Sequence, residues 1–278
     1  MISSNASYCF CTLALGHNYC NLALTLAQDL AQYAPSIQIV ILTDRPQAFQ
    51  HCPNVLAFEH HQQTLGCYHD KQFVLKRSIG LFEACVFVDA DMRILAPIPA
   101  DLVWQPGITA KIVWANIAKH CQNESEIGLL RKVSQKLGLK LEDISFVHEC
   151  LFVVARDQGK ELEFLDQWAK ISAYLELWGL CRGEGNTIGL AAAKVGLTIR
   201  RDELEQICFF KDKLASSAAG PMAQAQRAQL LAHQKALEYP DRSLFVRVIG
   251  KLRKVIYYQV RLMGLRIASL KNIEFYYR

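Results

Sequence analysis

Cys85-Val-Phe-Val88 is apolar at every position and ends in Asp89-Ala-Asp91. A short apolar run bounded by charge predicts a strand buried on both faces, which restricts the chain to folds with a covered central sheet. Strand side chains alternate in direction, so Asp89 and Asp91 are expected to project together from the strand's carboxyl end. Open α/β sheets bind their ligands at that edge. Two hard oxygen donors there suit Mn²⁺ or Mg²⁺ bridging to a diphosphate. The bland alternative is a surface turn or a helix cap.

The flanking sequence supports the central-strand reading. Tyr8–Leu13 predicts a first strand and Gly16-His17-Asn18 a turn, with Asn18 as cap of a helix. Tyr19, Leu22, Leu26, Leu30 and Tyr33 recur at helical spacing, and Ile37–Asp44 reads as a second strand. This order predicts a parallel pair joined by a right-handed crossover. His51–Cys67 reads as irregular. Asp70–Glu83 reads as a helix with Phe73, Leu75, Ile79 and Phe82 inward and Lys71, Lys76 and Arg77 outward. The second half predicts strands at Ile112–Ala115, Cys150–Ala155 and Leu197–Arg200. Helices are expected at Glu126–Leu137, Lys160–Leu177, Asn186–Val195 and Ala223–Glu238. Strands alternating with helices make the expected class α/β. No internal repeat is found.

Composition excludes several classes. With 51% hydrophobic and 21% charged residues the chain is not disordered, and no apolar run nears the ~20 residues of a transmembrane helix. Residues 1–7 lack the basic and apolar regions of a signal peptide, so the expected compartment is the cytoplasm. The ten cysteines show no zinc spacing and no Cys-x-x-Cys, which favours structural thiols. His60, His61 and His69 read as a solvated loop sooner than as metal ligands. Residues 242–278 carry nine Lys/Arg against one acid, a net of +8, which leaves residues 1–241 at −3. The apolar positions of that segment, Phe245, Val248, Ile249, Leu252, Val255, Ile256, Leu262, Met263 and Ile267, form a helical stripe. A basic amphipathic tail fits an anionic membrane surface, at the inner face of a membrane, and can equally pack its stripe on the main domain or on a partner helix. No nucleic-acid recognition motif accompanies the charge, so no nucleic-acid partner is expected.

Phe10-Cys-Thr12-Leu13, Tyr19, Lys71, Val86-Phe-Val-Asp89-Ala-Asp91, the Cys150–Ala155 strand and Gly183-Glu184-Gly185 occur in an order that resembles glycogenin-like family 8 glycosyltransferases. The resemblance spans Tyr8 to Arg200. It implies a GT-A fold at 1–215, with a mostly parallel central sheet flanked by helices. A helical extension at 216–278 comes next, separated by the linker candidate Ser216–Pro221 and basic from about 242. It implies a metal-dependent hexosyltransferase that moves sugar from a nucleotide-diphosphate donor, UDP favoured, to a carbohydrate or lipid-linked acceptor. Thr12, Leu13 and Tyr19 would hold the nucleotide, Asp89 the ribose and metal, and Asp91 the metal. Lys71 would reach the sugar or diphosphate, with Lys76 and Arg77 as rivals, and Glu184 the donor sugar. Three departures stand out. Gly16 replaces an Asn, His148-Glu149-Cys150 replaces Asn-Ser-Gly, and the late His-x-x-Gly-x-x-Lys-Pro-Trp that supplies a third metal ligand is missing.

The chemistry can be stated without the family. A leaving diphosphate develops negative charge, which a divalent ion and a lysine stabilise. Glu149 or Glu184 would serve as base if the anomeric centre inverts, whereas the resemblance implies retention. Two rival functions remain. One is a haloacid-dehalogenase-type phosphatase, whose Asp-x-Asp sits on the first strand with a nucleophilic first Asp. The other is a non-catalytic nucleotide- or membrane-binding module.

Overall fold

The computed structural model describes residues 7–121, 123–212, 214–215, 224–238 and 244–278. The chain forms β1 (Tyr8–Ala14), α1 (His17–Tyr33), β2 (Ile39–Thr43), β3 (Val55–Glu59), α2 (Lys71–Ile79), β4 (Ala84–Val88), β5 (Arg93–Ile94), β6 (Gly107–Ala110) and β7 (Val113–Trp114). Next come α3 (Ile117–His120), α4 (Glu124–Lys136), β8 (Phe146–Val147), β9 (Leu151–Ala155), α5 (Lys160–Leu177), α6 (Glu184–Val195), β10 (Ile199–Arg201), β11 (Phe209–Lys211) and β12 (Leu214–Ala215). The C-terminal part holds α7 (Gln224–Glu238), α8 (Leu244–Ser269) and α9 (Ile273–Tyr277).

Seven strands make one sheet in the order β10-β6-β9-β4-β1-β2-β3. β3, β2, β1 and β4 run parallel, β10 runs parallel to β6, and β9 is antiparallel to both β4 and β6. The class is therefore α/β with a mostly parallel central sheet flanked by helices, as expected. β4 lies at its centre, and all five of its residues are buried. Cys85 and Phe87 face one core with Phe152 and Trp168, while Ala84, Val86 and Val88 face the other with Leu26 and Leu30. Phe87 stacks on Phe152 at 5.4 Å between ring centroids. Burial of a side chain of that size contributes ~3 kcal/mol. Two apolar faces thus fix the strand, and its carboxyl end must emerge at the sheet edge.

Several local expectations need correction. His51–Cys67 is not wholly irregular, because it contains the edge strand β3, paired to β2 from Ile39↔Val55 to Thr43↔Glu59. Its residues are only half-buried, so the apolar signal that marks central strands is weak there. Helix α1 starts at His17 after Gly16, and Asn18 does not cap it. The Asn18 amide instead donates to the Glu238 carbonyl at 2.8 Å. Two strands, β6 and β7, replace the single one expected at Ile112–Ala115.

The linker candidate 216–221 lies outside the described residues. On its far side, α7 packs along α1, and Arg227 donates to the Asp212 carbonyl at 3.2 Å. α8 packs on α5 through Arg261, Leu265 and Ala268, which line a small cavity with Phe73 and Ser172. Phe275 joins the main core against Tyr174, and the Trp178 indole donates to the Tyr276 carbonyl at 3.2 Å. Among the described residues, no helix is long and apolar enough to cross a membrane.

Candidate functional site

The alternation that buries β4 continues past its end. Ala90 and Met92 turn into the core, which leaves Asp89 and Asp91 on the other side. The turn is closed by Met92 N–H to the Asp89 carbonyl at 3.0 Å, and Asp89 N–H donates to the Cys150 carbonyl at 3.0 Å. An ion pair anchors β5 immediately beyond the turn. Arg93 donates to both oxygens of Asp29 on α1, at 2.6 and 2.9 Å, and Ile94 N–H joins at 3.1 Å. β11 then runs antiparallel to β5, with Phe210 opposite Arg93, and so carries Lys211 back to the carboxylate pair.

Both aspartates open on a cleft of about 420 Å³. Leu13, Leu15 and Tyr19 line one side, Cys67, Tyr68 and Lys71 another, and Glu149, Arg182, Glu184 and Lys211 complete it. The Cys67 wall is positioned by two buried carboxylates. Asp70 accepts the N–H groups of Gln63 and Thr64, each at 2.8 Å, and pairs with His60 at 2.8 Å. Glu176 of α5 accepts Leu65 and Gly66 N–H at 2.9 and 3.2 Å. Burial raises the Glu176 carboxyl to about 7 even so. His60 and His61 therefore pair with acids in this region, His61 with Glu59 at 3.4 Å. His69 is buried and accepts the Trp168 indole N–H at 3.1 Å; burial pulls its pKa down to about 4, so it is a neutral core group.

Lys71 opens α2 and is buried, not outward. Its ammonium lies 3.0 Å from Asp89 and 3.1 Å from Glu184, and donates to the Glu149 carbonyl at 3.3 Å. Burial alone would lower its pKa, but Asp89 and Glu184 outweigh that and raise it, so it is a fixed positive charge. Asp89 mirrors it. Burial disfavours its charge, yet Lys71 and Lys211 hold the carboxyl below the usual range. Asp91 is raised, because burial is only partly offset by Lys211. Glu184 begins α6 directly after Gly183, whose φ of +87° is the left-handed turn a glycine takes without strain. Glu149 is raised by burial and by Glu184, and its Oε2 is buried without a partner among the described residues.

Leu13, Tyr19, Lys71, Asp89, Asp91, Glu149 and Glu184 thus meet in one cleft, and two expected residues do not. Thr12 is wholly buried on the opposite face of β1, with its Oγ1 unpartnered among the described residues, because β1 alternates and Leu13 faces the cleft. Arg77 stacks its guanidinium over Phe58 at 3.9 Å, at the far end of α2, and Lys76 pairs with Asp166 at 2.8 Å. Three residues around the aspartate pair carry no sequence signal for their place there. Lys211 reaches both aspartates, Gln234 of α7 donates to Asp91 Oδ2 at 3.1 Å, and Arg182 stands exposed at the cleft wall. Lys211 and Gln234 carry no motif; only the β5–β11 pairing and the docking of α7 on α1 bring them in.

The residues present do not fit the expected divalent ion. Each oxygen of the carboxylate pair faces a nitrogen: Lys71 on Asp89 Oδ1, Lys211 on Asp89 Oδ2 and Asp91 Oδ1, Gln234 on Asp91 Oδ2. Among the described residues no group of three or more His, Cys, Asp or Glu is arranged to hold a metal. A hard cation cannot share the space of the Lys211 ammonium.

The backbone is similar to that of the galactosyltransferase LgtC, in a crystal structure of its complex with donor and acceptor sugar analogs. The two are 10% identical, with a TM-score of 0.48 over 70% of this chain and 73% of that one. No family model matches the chain, and no curated protein matches it.

Proposed function

We propose that the cleft binds a nucleotide-diphosphate sugar and transfers its sugar to an acceptor. One observation carries this reading. Asp89 leaves the central strand and shares Lys71 with Glu184 at the start of α6, so donor-side and acceptor-side elements converge on one buried ammonium. Leu13 and Tyr19 offer an apolar and aromatic wall for a base, and Asp89 an acceptor for ribose hydroxyls. A UDP-hexose is the donor that the family resemblance favours. Lys71 supplies fixed positive charge near a leaving diphosphate. If the transfer inverts the anomeric centre, Glu149, with a raised pKa and an oxygen unpartnered among the described residues, is the better base of the two glutamates, since Glu184 is engaged by Lys71. The phosphatase reading expects its motif on the first strand, and here it comes after β4. Its Asp89 would also have to attack phosphorus while held by two lysines.

The test is a panel of UDP- and GDP-sugars, followed by release of nucleoside diphosphate in wild type and Asp89→Asn. Release in wild type that falls by about a hundredfold or more in the variant supports the proposal. A panel without binding or release, or phosphomonoester hydrolysis with a trapped Asp89 adduct, rejects it.

We also propose that α8 lies on an anionic membrane surface, at its inner, cytoplasmic face. On α8, Val248, Leu252, Val255, Ile256, Val260, Met263 and Ile267 are each 55–67% exposed along one side, while Arg261 and Leu265 face α5 on the other. Lys251, Arg253, Lys254 and Arg266 accompany the stripe. An apolar face flanked by cations lies in an anionic interface. Because Phe275 belongs to the core, substitution is a cleaner probe than truncation. Leu252→Asp with Met263→Asp should abolish sedimentation with phosphatidylserine vesicles. Unchanged sedimentation would reject the membrane role.

A further inference from the structure

We propose that Lys211 takes the place of a divalent ion in this cleft, and that the diphosphate of the donor is held without metal by Lys211 and Arg182. The proposal rests on the nucleotide-sugar reading and specifies its chemistry.

The placement of Lys211 is set by the fold. Phe209 and Phe210 are buried beside β5, in register with Ile94 and Arg93, and this pairing delivers the next residue to the Asp89–Asp91 turn. The Lys211 ammonium then bridges Asp89 Oδ2 and Asp91 Oδ1, the second at 3.1 Å. A cation shared by one oxygen from each aspartate occupies the position that a divalent ion chelated by the pair would take.

Donor counting separates the two lysines. An ammonium has three N–H donors. Lys71 spends all three, on Asp89, Glu184 and the Glu149 carbonyl. Lys211 lines the cleft and has two partners among the described residues, Asp89 and Asp91, so one of its three donors is not committed to them. A lysine brings one positive charge where Mn²⁺ brings two. The second is at hand in Arg182, which lines the same cleft, is exposed, and has no ion-pair partner among the described residues. A guanidinium binds phosphate oxygens through two parallel N–H groups, which suits the outer side of a diphosphate. Lys211 would hold the inner side, where charge develops as the sugar–oxygen bond breaks and the electron pair stays on the β-phosphate oxygen. Charge stabilisation by fixed cations in a partly buried cleft serves the same end as a metal.

The experiment is calorimetric titration of the full chain with UDP and with GDP, in EDTA and in saturating Mn²⁺, for wild type, Lys211→Met and Lys211→Arg. Wild type is expected to bind one of the two nucleotides with the same Kd in EDTA as in Mn²⁺. Lys211→Met should weaken binding in EDTA by about tenfold or more, the worth of one charged hydrogen bond. Mn²⁺ should recover much of that loss, because the vacated aspartate pair can then take the ion. Lys211→Arg should keep part of the metal-free affinity. A wild type that binds only with Mn²⁺ overturns the proposal and leaves the nucleotide-sugar reading intact. A wild type that binds neither nucleotide in either buffer overturns both. Metal-free binding by Lys211→Met at wild-type strength, or a loss that Mn²⁺ cannot recover, also overturns it. Should Lys211→Met fail to fold, the comparison of EDTA with Mn²⁺ on wild type decides alone.

Discussion

Two Gly→Ala substitutions in helices should move stability in opposite directions. In α6, a Cβ on Gly189 would overlap the Ser145 carbonyl oxygen and sit 3.0 Å from its carbon and 3.3 Å from Ile144 Cγ2. The obstacle is backbone, so it cannot swing aside. One turn earlier, Gly185 faces the Val147 carbonyl and the Phe146 ring in the same way, so α6 rests directly on residues 144–147. In α4, a Cβ on Gly128 meets nothing within 4 Å among the described residues. Replacing a helical glycine with alanine stabilises by ~1 kcal/mol where there is room. Overpacking against fixed atoms costs ~3 kcal/mol. Gly189→Ala should therefore lose ~2 kcal/mol net, lowering Tm by about 4–8 °C, and Gly128→Ala should raise it by about 2–4 °C. Both are read by calorimetry or circular dichroism melts of the full chain. An unchanged or raised Tm for Gly189→Ala would refute the close approach of α6, and with it the placement of Glu184 that α6 provides.

Three further outcomes are expected from the ion pairs and the buried acid. Lys71→Met leaves the buried Glu184 without its cation and removes one of the two cations on Asp89, which keeps Lys211, and should cost ~3–5 kcal/mol in urea unfolding; a loss below ~1 kcal/mol would show that the Lys71–Glu184 pair is not buried in solution. Glu176 is raised to about 7 from an ordinary 4.5, so the folded state holds its proton longer than the unfolded state does. Stability from this group is full below about pH 4.5 and falls by ~3 kcal/mol as pH rises through 7; Glu176→Gln should flatten that slope, and an unaltered slope would discard the assignment. Asp29→Asn removes a charged partner of Arg93 and should cost ~2 kcal/mol. Equal urea midpoints for that variant and wild type would count against the anchor behind the Asp89–Asp91 turn.

The central strand was legible in the sequence because β4 is apolar at every position, and burial on both faces demands that pattern wherever the strand lies in space. The exit of Asp89 and Asp91 on one side was legible for the same local reason, since alternation is a property of the backbone. The helices of the first half and the parallel β1–β2 pair follow from apolar period and turn residues, whereas the antiparallel insertion of β9 between β4 and β6 has no local signature. β3 escaped notice because an edge strand is half-exposed and lacks that signature.

The surroundings of the aspartates were decided by tertiary structure. Lys71 reads as one of three outward lysines and arginines on a helix, and only the packing of α2 beneath β4 turns it inward while sending Arg77 to Phe58. Thr12 and Leu13 are neighbours in sequence, yet β1 puts them on opposite faces, and the cleft lies on the side of Leu13. Lys211 is 122 residues from Asp89 and Gln234 is 143 from Asp91. No local preference encodes such distances. Local sequence fixes which residues are buried and which way they alternate, whereas the charge that completes the site comes from strands and helices that meet only when the whole chain closes.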